Sequence, residues 1–225
     1  MRRKSAFTLV ELLVVISIIL IASSIIFIGG TGGDGAKLSS SQRIVSGIAQ
    51  GARGQAILKN AETRLIIYAE TNTTGDNEKW LRYVGIVYWG TDSEGTEGWL
   101  AATQGTYLPE GIYFNPELSG DNDWPGSTMT LDYPRLKAGA NTNSETGGGG
   151  ETYYYYKFNS NGTMATAPTD FSNSWLVLQA GTLRPNSGGT LEVDFDEPEN
   201  AGLKTGLIFR RVGTTTPVND PGDID

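Results

Sequence analysis

The sequence predicts an α+β protein, with an apolar N-terminal helix, a second helix and then a mainly antiparallel β-sheet domain. Residues 7–28 form an apolar run of 22 residues whose only charge is Glu11. Residues 38–60 place apolar and small side chains at the three-to-four spacing of a helix. From residue 63 onward, short runs rich in aromatic and β-branched residues alternate with Gly, Asn, Asp and Pro, which is typical of strands joined by turns.

The composition limits the chemistry that the chain can perform. It has no Cys and no His, which excludes a thiolate nucleophile, a disulfide and an imidazole base or ligand. The net charge of −8 becomes −11 without residues 1–6, because 14 basic residues are then left against 25 acidic ones. Such a charge disfavours nucleic acid as a partner. No catalytic motif spacing is present, so we predict neither an enzyme nor a cofactor.

The N-terminus has the pattern of a membrane anchor. As a helix, residues 7–28 would be roughly 33 Å long, and the hydrocarbon core of a bilayer is about 30 Å thick. Arg2, Arg3 and Lys4 precede this run, which predicts that its start stays in the cytoplasm. We therefore expect a single-pass bacterial inner-membrane protein whose C-terminal domain lies in the periplasm or outside the cell.

Glu11 distinguishes between three interpretations of this segment. A secretory signal peptide could be cut near the small residues 22–24, and a plain signal anchor would stay uncut. Neither uses a carboxylate in the apolar run, where an acid costs about 2.5–3.5 kcal/mol at the centre of the membrane. The third interpretation gives Glu11 a partner in a neighbouring subunit.

Residues 6–16, AFTLVELLVVI, resemble the class III signal of type IV pilins and type II secretion pseudopilins. The resemblance implies that a prepilin peptidase cuts between Ala6 and Phe7 and methylates the new amine of Phe7. Ala6 stands where the family usually has Gly. The resemblance also implies that Glu11 pairs with the Phe7 amine of a neighbour and so sets the register of assembly. Removing one partner of such a buried pair costs about 3–5 kcal/mol.

The function implied by this resemblance is structural. We expect a minor pseudopilin of a type II secretion pseudopilus, which is part of the inner membrane before assembly and of a filament afterwards. The implied partners are the prepilin peptidase and methylase, the inner-membrane assembly platform and other pilins or pseudopilins. One alternative is a minor type IV pilin in adhesion or DNA uptake. An alternative of another class is a signal-anchored extracytoplasmic binding domain.

The chain divides into five predicted parts. Residues 1–6 are a basic leader that is removed, and residues 7–28 are the transmembrane and assembly helix. Residues 29–37 contain GGTGGDG, and we predict a linker that breaks the spine helix there, because each Gly costs about 1 kcal/mol in a helix. Residues 38–60 are the second part of the spine helix, and 61–225 the β-rich domain. The predicted packing face of the second helix is Leu38, Val45, Ala49, Ala52 and Ala56.

The distal domain is predicted to consist of nine strands, at 63–70, 79–90, 98–103, 111–115, 128–133, 151–158, 174–180, 190–195 and 206–212. The Gly-rich residues 138–150 are predicted to be a flexible surface loop. The segments 50–60, 107–114 and 206–213 loosely resemble H-type minor pseudopilins and FimT-like minor pilins. That likeness again implies a helical spine packed on a sheet.

Three groups of side chains are candidate binding sites. Acidic clusters lie at 121–123, 192–199 and 220–225. We interpret them as solvated loops, and calcium binding through Asp121 and Asp123 is the alternative. Arg210 and Arg211 form a basic pair. FimT-like pilins bind DNA through C-terminal arginines, so DNA binding is one interpretation. We favour the other, in which the pair lies at the end of a strand and faces solvent or a subunit interface. The tetrad 153–156 is four tyrosines, with two predicted in the core and two on the surface rather than a ligand platform.

Overall fold

The described part of the chain begins with one long helix, α1 (Gly33–Lys59). The computed structural model describes residues 33–70, 76–119, 128–164, 174–185, 191–196 and 202–219, so the predictions for residues 1–32 lie outside it. Asp34 lies in the first turn of α1 and Lys59 in the last, where each charge is favourable to the helix dipole. Within these described ranges, no helix is both long and apolar enough to span a membrane.

The predicted linker is corrected at its C-terminal end. Residues 33–37 are helical, although Gly33 and Gly35 weaken a helix. The carboxylate of Asp34 accepts a hydrogen bond from Lys37 Nζ at 2.9 Å, and this pair supports the first turn. The predicted interruption at 29–32 lies outside the described residues.

One stripe of α1 is buried, and it is the predicted one. All five predicted side chains are buried, and they recur at intervals of three, four and seven residues, which places them on one face. Three of the five are alanines, so the sheets can approach the helix closely. Two polar residues, Ser41 and Gln42, are buried in the same stripe.

Sheet A lies against α1 and holds six strands, with β4 paired to β2 outside the main order β3-β2-β1-β7-β6. All its pairings are antiparallel. Its strands are β1 (Thr63–Tyr68), β2 (Tyr83–Thr91), β3 (Glu97–Ala101), β4 (Thr106–Tyr107), β6 (Thr128–Leu131) and β7 (Glu151–Phe158).

Sheet B is antiparallel and has the order β12-β11-β8-β5, and a separate hairpin pairs β9 with β10. The strands are β5 (Ile112–Asn115), β8 (Ser174–Ala180), β9 (Thr182–Pro185), β10 (Leu191–Asp194), β11 (Lys204–Phe209) and β12 (Thr215–Val218). The Tyr156 hydroxyl donates to the Trp175 carbonyl at 2.8 Å, and its ring stacks on Phe209 at 4.4 Å. Sheets A and B are thus joined through one core.

The predicted α+β class, with a helix packed on antiparallel sheets, is confirmed. The predicted strands are all present, and those at 151–158 and 174–180 have the predicted bounds. The other seven are shorter than predicted. Residues 79–82 form a turn, because Leu81 has a positive φ and donates its N–H to the Tyr68 carbonyl. β11 ends at Phe209, so Arg210 and Arg211 lie in the turn that follows. The short strands β4, β9 and β12 were not predicted.

Residues 132–150, here called the strap, cover the face of sheet A that is turned away from α1. The strap joins the two edges of that sheet. The N–H of Trp99 on β3 donates to Asn141, and the N–H of Thr130 on β6 donates to Thr146, at 2.8 and 2.9 Å. Ala138 and Asn141 are buried. Nine of the 13 residues 138–150 are exposed, as expected for the predicted surface loop. The segment is nevertheless fixed to both edges of the sheet by these hydrogen bonds, and the strap packs on a second apolar cluster.

Candidate functional site

The predicted processing and assembly residues, Ala6, Phe7 and Glu11, lie outside the described residues, as do Asp121 and Asp123. The candidate site in the described part is therefore the helix that follows the apolar segment, together with the surfaces that hold it. These features determine which side of α1 is available to another molecule.

Hydrogen bonds made by Gln42 and Ser46, here called the polar lock, fix the rotation of α1 on sheet B. The amide of Gln42 is buried and donates to Thr205 Oγ1 at 2.6 Å, to the Gly206 carbonyl at 2.9 Å and to the Val218 carbonyl at 3.1 Å. One turn further along, the Ser46 and Thr215 hydroxyls are 2.8 Å apart. Since a buried amide without partners is costly, these bonds specify one orientation of the helix. Sequence reasoning missed Gln42, because nothing in its neighbours distinguishes it from a surface glutamine.

The opposite face of α1 is open. Its exposed residues include Ser39, Arg43, Gly47, Gln50 and Gly54. A Cβ built on Gly47 or Gly54 would meet nothing within 4 Å. These glycines are therefore not required by packing inside the chain, and their small size leaves room for close approach from outside.

Arg64 is the most deeply buried charge of the described residues, with no exposed side-chain surface. Its guanidinium lies between the rings of Trp99 and Tyr155, at 4.4 and 4.1 Å from their centroids. It pairs with Glu62 at 2.8 Å. It also donates to the strap carbonyls of Ser144 and Glu145 at 2.8 and 2.9 Å.

The two rings, Glu62 and the strap carbonyls surround the Arg64 guanidinium completely. Arg64 therefore holds the strap and is not available to a ligand. Glu62 also accepts from Lys157 at 2.8 Å. Sequence reasoning missed Arg64. A lone arginine in an otherwise apolar strand was the available signal, because a charge is buried only where it is paired.

A tyrosine cluster lies further along the same face of sheet A. The hydroxyls of Tyr68 and Tyr153 both donate to Glu151, at 3.2 and 3.1 Å, and Lys79 Nζ lies 5.6 Å from the Tyr68 ring. Burial, followed by the charge of Glu151, raises the pKa of Tyr153 far above its usual range. Burial also raises the pKa of Tyr83 to about 12. The tyrosine hydroxyls are thus uncharged at physiological pH, and the Glu151 carboxylate already has a cation beside it, because Lys79 Nζ lies 3.6 Å away.

The tetrad 153–156 is corrected in one respect. Tyr153 and Tyr155 face the strap, and Tyr154 and Tyr156 face α1 and sheet B. Tyr153 and Tyr156 are buried and the other two half-buried. The predicted alternation is present, but both faces of β7 are covered, so neither pair forms an open surface.

The acidic segment 192–199 is described only as far as Asp196. Asp194 lies 3.4 Å from Arg184 across the β9–β10 hairpin, and its carboxylate accepts from the Asp196 N–H at 3.0 Å. In the described ranges, no three acidic side chains come together as metal ligands. The hairpin borders a groove of about 750 Å³ whose wall includes Glu192 and Lys204.

Arg210 and Arg211 are exposed in the turn between β11 and β12. Arg210 Nε donates to Thr216 Oγ1 at 3.2 Å. The Arg211 carbonyl accepts from the Met164 N–H at 3.0 Å. The guanidinium groups therefore face solvent beyond the end of the strand, while the backbone of the turn is fixed.

Comparisons with known proteins identify the N-terminus. Residues 1–27 match the family model described as the prokaryotic N-terminal methylation motif. No curated protein matches the chain. Among solved structures, the minor pseudopilin EpsH from the type 2 secretion system of Vibrio cholerae aligns at 13% identity, over 84% of this chain and 99% of that one, with a TM-score of 0.40. The methylation motif confirms the predicted type of N-terminal signal, which is that of type IV pilin-like proteins.

Proposed function

We propose that the chain is a minor structural subunit of a type II secretion pseudopilus, without bond chemistry of its own. The observation that carries the proposal is the methylation motif at residues 1–27, with Glu11 as the only charge of the apolar run that follows the leader. A carboxylate in that place is costly for a plain anchor. It becomes favourable when the amine of Phe7 from a neighbouring subunit neutralises it.

The seating of α1 supports this role. Gln42 fixes the rotation of the helix on sheet B, so the same face is always turned outward. That open face carries Gly47 and Gly54, which have no neighbour inside the chain. A rigid helix with an open face of small residues suits helix packing between subunits.

The distal segments that resemble H-type minor pseudopilins lie close to α1. Residues 50–60 form its C-terminal end, 107–114 lead into β5, and 206–213 form most of β11 and its turn. The same segments resemble FimT-like minor pilins as well, so they support a minor subunit of either kind of filament. The proposed partners are the prepilin peptidase, the inner-membrane platform and sibling pseudopilins.

The test separates leader removal from assembly. Ala6→Leu should block cleavage, because a large side chain then precedes the cleavage site. Ala6→Gly should preserve cleavage. Mass spectrometry of the N-terminus of the purified chain measures both results. Glu11→Leu should be cleaved and inserted but absent from sheared filaments. Ser17→Leu is the matched control, since it makes the same polar-to-leucine change within the apolar run and should assemble normally.

Two results would contradict the proposal. Normal cleavage of the Ala6→Leu chain would reject the assigned processing site. Normal filament incorporation of the Glu11→Leu chain would reject the assembly role and would fit a signal-anchored binding domain instead.

A further inference from the structure

The C-terminal end of α1 and the β11–β12 turn meet at a basic and apolar surface, here called the basic corner (Arg53, Ile57 and residues 210–212). A Cβ built on Gly162 would lie 2.8 Å from Ile57 Cδ1 and 3.1 Å from Arg53 Cγ. A Cβ on Gly213 would lie 3.0 Å from Arg53 Cδ. The side chains at the end of the helix thus lie directly against two glycine turns, one of which presents the exposed arginine pair.

The cations of the basic corner have no carboxylate partner among the described residues. Arg53, Arg210 and Arg211 form no ion pair with any described carboxylate, and the Nε of Arg53 is buried without a hydrogen-bond partner. Ile57 is 51% exposed and Val212 60%. In a chain with a net charge of −8, three arginines without a described carboxylate partner beside exposed apolar side chains favour an acidic and apolar ligand.

The chain itself contains a segment of that chemistry. Residues 219–225 read NDPGDID, with three carboxylates, one isoleucine and no basic residue. This segment follows β12, whose last residue, Val218, accepts a hydrogen bond from Gln42. Gln42 and Arg53 are 11 residues apart on α1, which is about 16 Å along the helix axis. Residues 220–225 lie outside the described residues, but the end of β12 from which they continue is thus about 16 Å along α1 from the basic corner.

We propose that residues 220–225 of one copy bind the basic corner of a second copy. The carboxylates of Asp220, Asp223 and Asp225 would pair with the arginines, and Ile224 would lie on Ile57 and Val212. This contact rests on the filament role proposed above. Because the segment of one copy binds a different surface on the next copy, the contact is heterologous, which is the kind of contact that builds an open filament.

Within one chain, the segment would have to turn back along β12. That path reaches Arg210, whose Nε lies at Thr216, two residues before Val218. Arg53 lies against Gly213, which is five residues before Val218, or about 17 Å along a strand. The three residues that remain after a four-residue turn span only about 10 Å, so a pair with Arg53 requires a second copy. A lipid surface is also disfavoured, since Arg53 lies about 30 Å along the helix from Gly33, on the side away from the apolar segment.

Cysteine cross-linking in cell membranes tests the contact, because the chain has no cysteine of its own. A full-length Arg211→Cys chain is co-expressed with a full-length Asp223→Cys chain, and disulfide-linked dimers are quantified after mild oxidation. Arg135→Cys replaces Arg211→Cys in the matched control. Arg135 is also exposed but lies on the strap, across sheet A from α1. We expect about tenfold more dimer with Arg211→Cys, since contact raises the effective concentration of the two thiols.

A charge exchange tests whether the contact is electrostatic. With Thr214→Cys and Asn219→Cys as the cross-linking pair, the double change Arg210→Asp and Arg211→Asp should reduce the dimer. Asp220→Arg with Asp223→Arg in the partner chain should restore it.

Four outcomes would overturn the proposal. They are a yield equal to the Arg135→Cys control, no rescue by charge exchange, a disulfide formed within one chain that carries both cysteines, and arginine-dependent retention on duplex DNA. If any of these results is found while the chain still loses its leader and enters filaments normally, only the proposed contact is rejected. Loss of the filament role would instead appear as normal incorporation of the Glu11→Leu chain.

Discussion

Arg64→Ala should release the strap from sheet A. The wild-type guanidinium donates to two strap carbonyls, at Ser144 and Glu145, and lies between the rings of Trp99 and Tyr155. The alanine removes all these contacts at once. Glu62 keeps Lys157 as its partner, so the variant does not leave a buried carboxylate without a cation.

The change in the free energy of strap opening can be worked out from the contacts that Arg64 makes with the strap and the two rings. Each hydrogen bond from a charged donor contributes about 1.5–3 kcal/mol, and each cation–π contact about 0.5–2 kcal/mol. Water replaces part of the lost bonding at the carbonyls once the strap opens. We therefore expect local opening to become easier by about 3 kcal/mol, which raises the open population about 100-fold.

Limited digestion with trypsin measures this opening, because the strap carries Arg135 and Lys137, each with a side chain 65% exposed. When reclosing is faster than cleavage, the cleavage rate follows the open population. Strap cleavage in the Arg64→Ala chain should therefore be about 100-fold faster. Arg184→Ala, at an exposed position on β9, is the matched control and should cleave at the wild-type rate. A rate within about twofold of wild type, in an Arg64→Ala chain with native tryptophan fluorescence, would refute the reasoning.

Three further predictions concern the free energy of unfolding. Gly148→Ala should lower the free energy of unfolding by about 1–3 kcal/mol, because its Cβ would overlap a strap carbonyl. Gly149→Ala is the control and should be neutral, since its Cβ would have its nearest contact at 4.0 Å. Equal melting temperatures for the two variants would contradict this prediction. Gln42→Leu should lower the free energy of unfolding by about 1–3 kcal/mol, because it leaves buried acceptors unpaired. Gln50→Leu, at an exposed position, should lower it much less. An unchanged stability of the Gln42→Leu chain would show that the polar lock is dispensable. Burial raises the pKa of Tyr83 to about 12, so the stability that this group contributes is complete below pH 10 and is lost as the pH rises toward 12. Tyr83→Phe should flatten that loss in melting curves at pH 9 and 11, and an unchanged slope would contradict the assignment.

The sequence predicted best where one periodicity determines burial. The stripe of α1 from Leu38 to Ala56 follows helical spacing and is buried as expected. The strands 151–158 and 174–180 have the predicted bounds because long aromatic and β-branched runs have few alternatives. The N-terminal signal was predicted from its one misplaced charge, Glu11, and the motif match bears out the type of signal.

The strap could not be predicted, since its structure depends on long-range contacts rather than local preference. Its Gly-rich composition is typical of flexible loops. In the structure, three of its glycines, at 147, 148 and 150, are required by close backbone approach; at Gly147, φ is positive and a Cβ would overlap the Thr130 carbonyl. Arg64 reaches the strap across 80 residues of sequence, so no local pattern links the two.

The covered edges of sheet A limit how copies of this domain can associate. An edge strand with free N–H and C=O groups can pair with another chain, but the strap occupies the N–H groups of Trp99 on β3 and Thr130 on β6. On sheet B, the edge strand β12 contains Pro217, which is exposed and has no N–H to donate. Association by strand addition is thereby disfavoured at these edges. The open face of α1 offers a different mode of contact, since its small residues allow a helix of the next subunit to approach closely.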